Sequence, residues 1–155
     1  MRGWKIGLLG LGLALAACQP GEKADEAAVS VNNAWVRLPA VPGRPGAAYF
    51  TLRSKRGSYT LQGISSPQIQ RIELHDSKMA DGMMRMTPLA PPKLEQGAEL
   101  EFAPEGRHAM LFGIDPSVKA GGMIRLEFKL VPGDPVTTEA PVVAASDAAP
   151  RVHEH

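Results

Sequence analysis

The sequence predicts an all-β fold, an antiparallel β-sandwich built as one domain, on three observations. Short stretches of alternating apolar and polar residues recur along most of the chain, turn-forming dipeptides separate them, and no stretch carries a long amphipathic helical pattern. Nine stretches qualify as strands: residues 29–36, 47–54, 59–64, 69–75, 83–89, 98–102, 108–114, 123–130 and 136–143. The first runs toward Pro42-Gly43 and the second into Arg56-Gly57. Asp81-Gly82 introduces the fifth and Gln96-Gly97 the sixth, and the eighth lies between Gly121-Gly122 and Pro132-Gly133. Many short strands at this spacing favour a sandwich or barrel over a βαβ sheet. A domain of about 115 residues buries roughly 60–70% of its unfolded surface, enough to fold without disulfides.

The ends of the chain read differently. Residues 1–17 form a signal peptide: Arg2 and Lys5 lead, an uncharged apolar and glycine run covers residues 6–15, and Leu15-Ala16-Ala17 supplies small residues for cleavage. The apolar run is far shorter than the roughly 20 residues that span a hydrocarbon core, so a cleaved signal is the better reading than a membrane helix. Cys18 is the only cysteine among 155 residues. Residues 19–28 are polar and alanine-rich with Pro20 and Gly21, a tether that joins residue 18 to the domain at 29–143. Residues 144–155 are small and polar, read as a disordered tail ending in His153-Glu154-His155.

Charge and composition exclude several functions. Removing residues 1–17 takes away Arg2 and Lys5, leaving 15 basic against 16 acidic residues scattered along the chain. No basic field exists to attract nucleic acid. A hydrolase is equally poorly supported, because there is no Gly-x-Ser-x-Gly elbow and no His-Glu-x-x-His helix. The chain is expected not to be an enzyme. A thiolate-ligated blue-copper centre needs a cysteine inside the domain, and residues 29–143 have none.

Methionine and histidine carry the positive signal. Leaving aside Met1, all six methionines fall between Met79 and Met123, and four lie within residues 79–86. Met123 reads as a core residue. Met79, Met83, Met84 and Met86 keep company with Asp76, Lys78, Asp81 and Arg85, which suits a core segment poorly. His75 closes the 69–75 stretch, and His108 and Met110, two apart on a strand, point to one face. The complete spacing is His75-x10-Met86-x21-His108-x-Met110. With four histidines and seven methionines in 155 positions, a chance match has odds of roughly 1 in 5,000.

On that motif the chain resembles the PCuAC family of periplasmic copper chaperones. Ala34-Trp35-Val36-Arg37, Ala47-Ala48-Tyr49-Phe50-Thr51-Leu52, Ser65-Ser66-Pro67, Ile72-Glu73-Leu74-His75 and Met84-Arg85-Met86 also look like family segments, so the resemblance covers about residues 29–143. One departure is Ala109, which stands where a larger apolar residue is common. The resemblance implies a cupredoxin-like antiparallel β-sandwich with Greek-key connections, in which His75, Met86, His108 and Met110 bind Cu(I). Met79 is an auxiliary candidate near the mouth of that site. His153 and His155 are further candidates, able to catch Cu(II) on the tail.

The donor types suit that reading. Thioethers are soft and select Cu(I), imidazole suits several metals, and two of each leaves a neutral site with no carboxylate for Ca²⁺, Mg²⁺ or Zn²⁺. Thioethers also survive an oxidising compartment in which paired thiols would become a disulfide. Leu15-Ala16-Ala17-Cys18 in turn resembles the lipobox of bacterial lipoproteins, which implies lipidation of Cys18 and acylation of its new amino terminus. The expected place is the periplasmic side of a bacterial membrane, the outer membrane in particular, because Gln19 stands where an inner-membrane protein often carries aspartate. The partners implied are the membrane, through the lipid, and a copper acceptor. For the family that acceptor is the copper centre of cytochrome c oxidase, reached directly or with a Sco-type thiol protein. The competing reading is a structural or interaction lipoprotein in which the methionines merely pack.

Overall fold

A computed structural model describes residues 27–150 of the chain. The signal segment, Cys18, most of the tether, His153 and His155 lie outside those residues. No helix occurs among the described residues, and ten strands form: β1 (Val29–Arg37), β2 (Gly46–Ser54), β3 (Tyr59–Ser65), β4 (Ile69–Ala80), β5 (Met83–Pro88), β6 (Lys93–Leu94), β7 (Glu99–Phe102), β8 (Arg107–Ile114), β9 (Met123–Val131) and β10 (Val136–Val143).

The strands follow one another as β5-β4-β8-β2-β1-β10-β9-β3-β6, with β7 also paired to β2. This continuous ribbon folds into two layers, one of β1, β2, β4, β5, β7 and β8 and the other of β3, β6, β9 and β10. All ladders are antiparallel except β1 with β10, a parallel pair at the seam between the layers. Consecutive β3 and β4 lie in different layers, as Greek-key connections require. The predicted antiparallel sandwich is therefore the observed fold.

Alternation explains which face of each strand turns inward. In β9 every second residue, Ile124, Leu126, Phe128 and Leu130, is buried while Met123, Arg125, Glu127, Lys129 and Val131 are exposed. In β2 Ala48, Phe50, Leu52 and Ser54 take the inner face. Phe50 stacks on Phe102 at 4.4 Å within one layer and meets Phe128 of the other edge-on at 4.8 Å. That trio ties the layers together at the centre of the core.

Three differences from the sequence reading have physical causes. Strand β4 does not end at His75 but runs five residues further, to Ala80, because β5 pairs with that extension and Lys78 bonds Asp76 at 2.9 Å across its solvent side. The polar residues after His75 break the apolar alternation by which a strand is recognised. The tenth strand, β6, was hidden behind Pro91 and Pro92, yet it closes an edge by pairing Leu94 with Tyr59 and Lys93 with Thr60. Met123, expected in the core, is 54% exposed, since its place in the alternation of β9 puts it opposite Ile124. Past β10 the chain turns back: Ala144 N–H donates to Asp147 Oδ2 at 3.2 Å, and Arg37 donates to the Asp147 carbonyl at 3.2 Å.

The packing makes an opposed pair of expectations for denaturant unfolding. Phe128→Ala removes a fully buried ring from the inter-layer contact and should cost about 3–5 kcal/mol. Met123→Ala should change stability by no more than about 0.5 kcal/mol. A large loss for the second would mean that Met123 is packed after all.

Candidate metal centre

The outer face of the first layer brings the four candidate residues together through strand register. In the β4–β8 ladder His75 pairs directly with His108, and Glu73 with Met110 one same-face step away. In the β4–β5 ladder Ser77 pairs with Met86. Because Glu73, His75 and Ser77 alternate onto one face of β4, their partners share it. The histidine pair thus sits in the middle, with Met110 one step to one side and Met86 one step to the other. The intervening Ala109 and Leu111 point into the core and anchor β8.

The two rings lie 6.1 Å apart between centroids and are inclined by 28°. His108 is 7% exposed, one of two buried polar side chains in the described residues. Its Nδ1 lies 2.9 Å from the Gly106 carbonyl oxygen. A carbonyl only accepts, so Nδ1 carries the proton and Nε2 keeps a free lone pair. His75 is held the other way round. Its Nε2 donates to Glu73 Oε2 at 3.1 Å, while Nδ1 is buried and has no hydrogen-bond partner among the described residues. A buried ring nitrogen left with a lone pair is costly unless something binds it.

Glu73 is itself clamped. Arg71 Nε bonds its other oxygen at 3.2 Å, and the Arg71 guanidinium lies 4.4 Å over the ring of Phe112, its cross-strand partner. The row Phe112, Arg71, Glu73, His75 therefore fixes the plane of one imidazole. Sequence reasoning missed Arg71 and Glu73. Their signal was present as Arg71-x-Glu73-x-His75, three residues on one face of a strand.

Beside the histidines lies a cleft of about 270 Å³ whose lining includes Met86, His108, Met110, Ser77, Tyr49 and Arg37. Arg37 stacks on Trp35 at 4.9 Å, and Trp35 in turn meets Tyr49 at 4.4 Å. Burial pushes the Tyr49 phenol above its ordinary value of 10.0, with the nearby Arg37 guanidinium acting in the opposite sense. Met86 is 50% exposed and forms the open side. The β4–β5 hairpin that carries it closes through Asp81-Gly82, both with positive φ (52° and 73°) and between the paired Ala80 and Met83. That is the two-residue turn whose twist matches the strands.

Of the auxiliary candidates, Met79 lies on the same face of β4 as His75, two steps further along the hairpin. Met83 turns to the other face. No group of three or more His, Cys, Asp or Glu side chains that could hold a metal occurs among the described residues. Two imidazole lone pairs flanked by two thioethers therefore offer a neutral, soft donor set, and the donor chemistry fits a monovalent soft ion.

Fold and site together define a cupredoxin-like β-sandwich with a two-imidazole, two-thioether face on its outer layer. Residues 29–142 match the profile of the family described as "Putative lipoprotein LpqE-like", and the chain belongs to that family. It is 28% identical over 146 residues to the protein named "Putative lipoprotein Lxx21020" of Leifsonia xyli subsp. xyli, covering 92% of this chain and 86% of that one. Among solved structures it resembles the copper-bound PCuAC domain from PmoF2, with a TM-score of 0.63 at 18% identity over 76% of this chain and 94% of that one. It also resembles CuI-DR1885 from Deinococcus radiodurans, with a TM-score of 0.52 at 28% identity, covering 79% of this chain and 85% of that one. The resemblance to the PCuAC family read from the sequence is thus matched by the fold.

The hydrogen bonds predict opposite tautomers for the two rings. Long-range ¹H–¹⁵N spectra of the metal-free protein at alkaline pH should show His75 as the Nε2–H form and His108 as the Nδ1–H form. The reverse assignment at either ring would remove that nitrogen's free lone pair from the face.

Proposed function

We propose that this protein is an extracytoplasmic copper chaperone that holds one Cu(I) between His75, Met86, His108 and Met110 and passes it to an acceptor. The observation that supports it best is the histidine pair: His75 and His108 are direct cross-strand partners, each with one ring nitrogen engaged and the other free. The relationship to solved PCuAC domains, one of them described as bound to Cu(I), agrees with this choice of cargo. Copper is the cargo here, so the chemistry required of the chain is ligand exchange and no bond in the protein is made or broken.

The arrangement suits exchange. His75, His108 and Met110 stand on strands paired on both sides, whereas Met86 stands on the outermost strand, exposed. An acceptor's ligands would enter on the Met86 side and displace the thioether first. In our reading the acceptor is the copper centre of cytochrome c oxidase, directly or through a Sco-type thiol protein. The family's description as lipoproteins supports a lipid on Cys18, which would hold the chaperone at the periplasmic face of the outer membrane.

Competition titrations with a Cu(I) chelator test the ligand set. Met86→Ala with Met110→Ala should weaken binding by about tenfold or more with the fold intact, and Glu73→Ala by roughly 10- to 100-fold through loss of the bond behind His75. Wild-type affinity in the double methionine variant would sink the assignment. For the anchor, Cys18→Ser should move the protein from the membrane to the soluble fraction, because the polar tether offers no other membrane affinity. Equal partition of variant and wild type, with no acyl mass on Cys18, would defeat that part alone.

A further inference from the structure

The β4–β5 hairpin has two chemically distinct faces. Met79 pairs directly with Met84, and Ser77 with Met86, so one face carries three thioethers and a hydroxyl and no charge. The other face holds Asp76, Lys78 and Arg85, with Lys78 bonded to Asp76 at 2.9 Å and Arg85 reaching Asp81 of the turn at 3.7 Å. Packing does not account for the uncharged face. Met79 is 66% exposed and Met84 50%, so each gains at most about half of the burial free energy that normally places methionine in a fold.

Directly opposed residues in an antiparallel ladder hold their Cβ atoms about 4.5–5.5 Å apart, close enough for two flexible thioether arms to meet at one ion. The Met79–Met84 pair is also continuous with the histidine centre. Successive same-face rows run Met79/Met84, Ser77/Met86, then His75, with His108 beside it on β8. Rows stand about 6.8 Å apart, two strand residues. Met86 lies one row from the hairpin pair and one row from His75.

We propose that Met79 and Met84 form a second Cu(I) site, an all-thioether landing point at the hairpin tip from which Met86 leads to the histidine centre. A neutral pair of soft donors takes Cu(I) in preference to divalent ions, and with two ligands rather than four it binds more weakly than the histidine centre. A weak outer site beside a strong inner one loads the inner site downhill. The proposal rests on the Cu(I) chaperone reading for its purpose, while the site itself stands on the register and exposure of two residues.

The test is a Cu(I) titration, under anaerobic conditions, of the full chain labelled with ¹³C at the methionine methyls. The protein supplies its own controls: Met83 is 61% exposed on the charged face and opposite Ala80, and Met123 is 54% exposed on the other layer. After the histidine rings have responded to the first equivalent, a second should shift the Met79 and Met84 methyls. Those of Met83 and Met123 should move by less than about a tenth as much. Met79→Leu with Met84→Leu, which keeps the bulk of both side chains, should abolish the second equivalent and leave the first. Uniform shifts at the Met79, Met83, Met84 and Met123 methyls, or none at Met79 and Met84, overturn the hairpin site. The His75→Ala, His108→Ala variant separates the two claims. Shifts at Met79 and Met84 that survive in it uphold the hairpin site, even if the wild-type histidines never respond and the chaperone reading falls. A wild type that fills the histidine centre with both methyls unmoved rejects the hairpin site and leaves the chaperone reading standing.

Discussion

Everything at the candidate metal-binding face depends on the register of β4 against β8. With His75 opposite His108, the Glu73–Met110 row falls on the same face and Met86 arrives from β5 one row beyond. A slip of one residue would turn His75 or its partner to the opposite face and bury an imidazole among Ala109 and Leu111. The register is enforced from the core side, where Leu111 is fully buried and Ile72 packs against the same cluster. Hydrophobic burial on one face of β8 therefore sets the geometry of polar donors on the other.

The backbone adds a second layer of specification to the same place. Gly106 supplies one carbonyl that accepts from His108 Nδ1 and also from the Ser77 N–H at 3.2 Å, so the end of β8, the middle of β4 and one ring share a single oxygen. On the other ring the partner is a side chain, Glu73, held by Arg71. The two histidines are thereby oriented by unlike means. One depends on main chain, which substitution cannot remove, and the other on a carboxylate, which it can.

Much of this was legible in the chain itself. Period-two alternation in stretches such as Ile124 to Leu130 declares both strand and inner face, and the Asp81-Gly82 pair declares the hairpin. The His and Met spacing singled out four residues that the fold does bring onto one face. What escaped was whatever depends on a partner strand. Asp76 and Lys78 look like a loop until β5 is laid beside them, and Lys93-Leu94 looks like a proline-rich connection until β3 is. Met123 was misread because methionine is apolar enough for either side of a strand, and only the phase of β9 decides. Glu73 and Arg71 were readable in principle, since the same alternation that links His108 to Met110 links them to His75.

The position of β5 at the end of the sheet gives the donor face a mechanical asymmetry. Three of the four candidate donors ride on strands gripped from both sides, and the fourth rides on a strand with a ladder on one side only and every residue exposed. Bending such a strand breaks no core contact and strains one row of backbone bonds. In the proposed chaperone the stiff wall would set how strongly the ion is held, and the compliant wall how fast it leaves. Residues along β5 that touch no ion can therefore tune residence time separately from affinity.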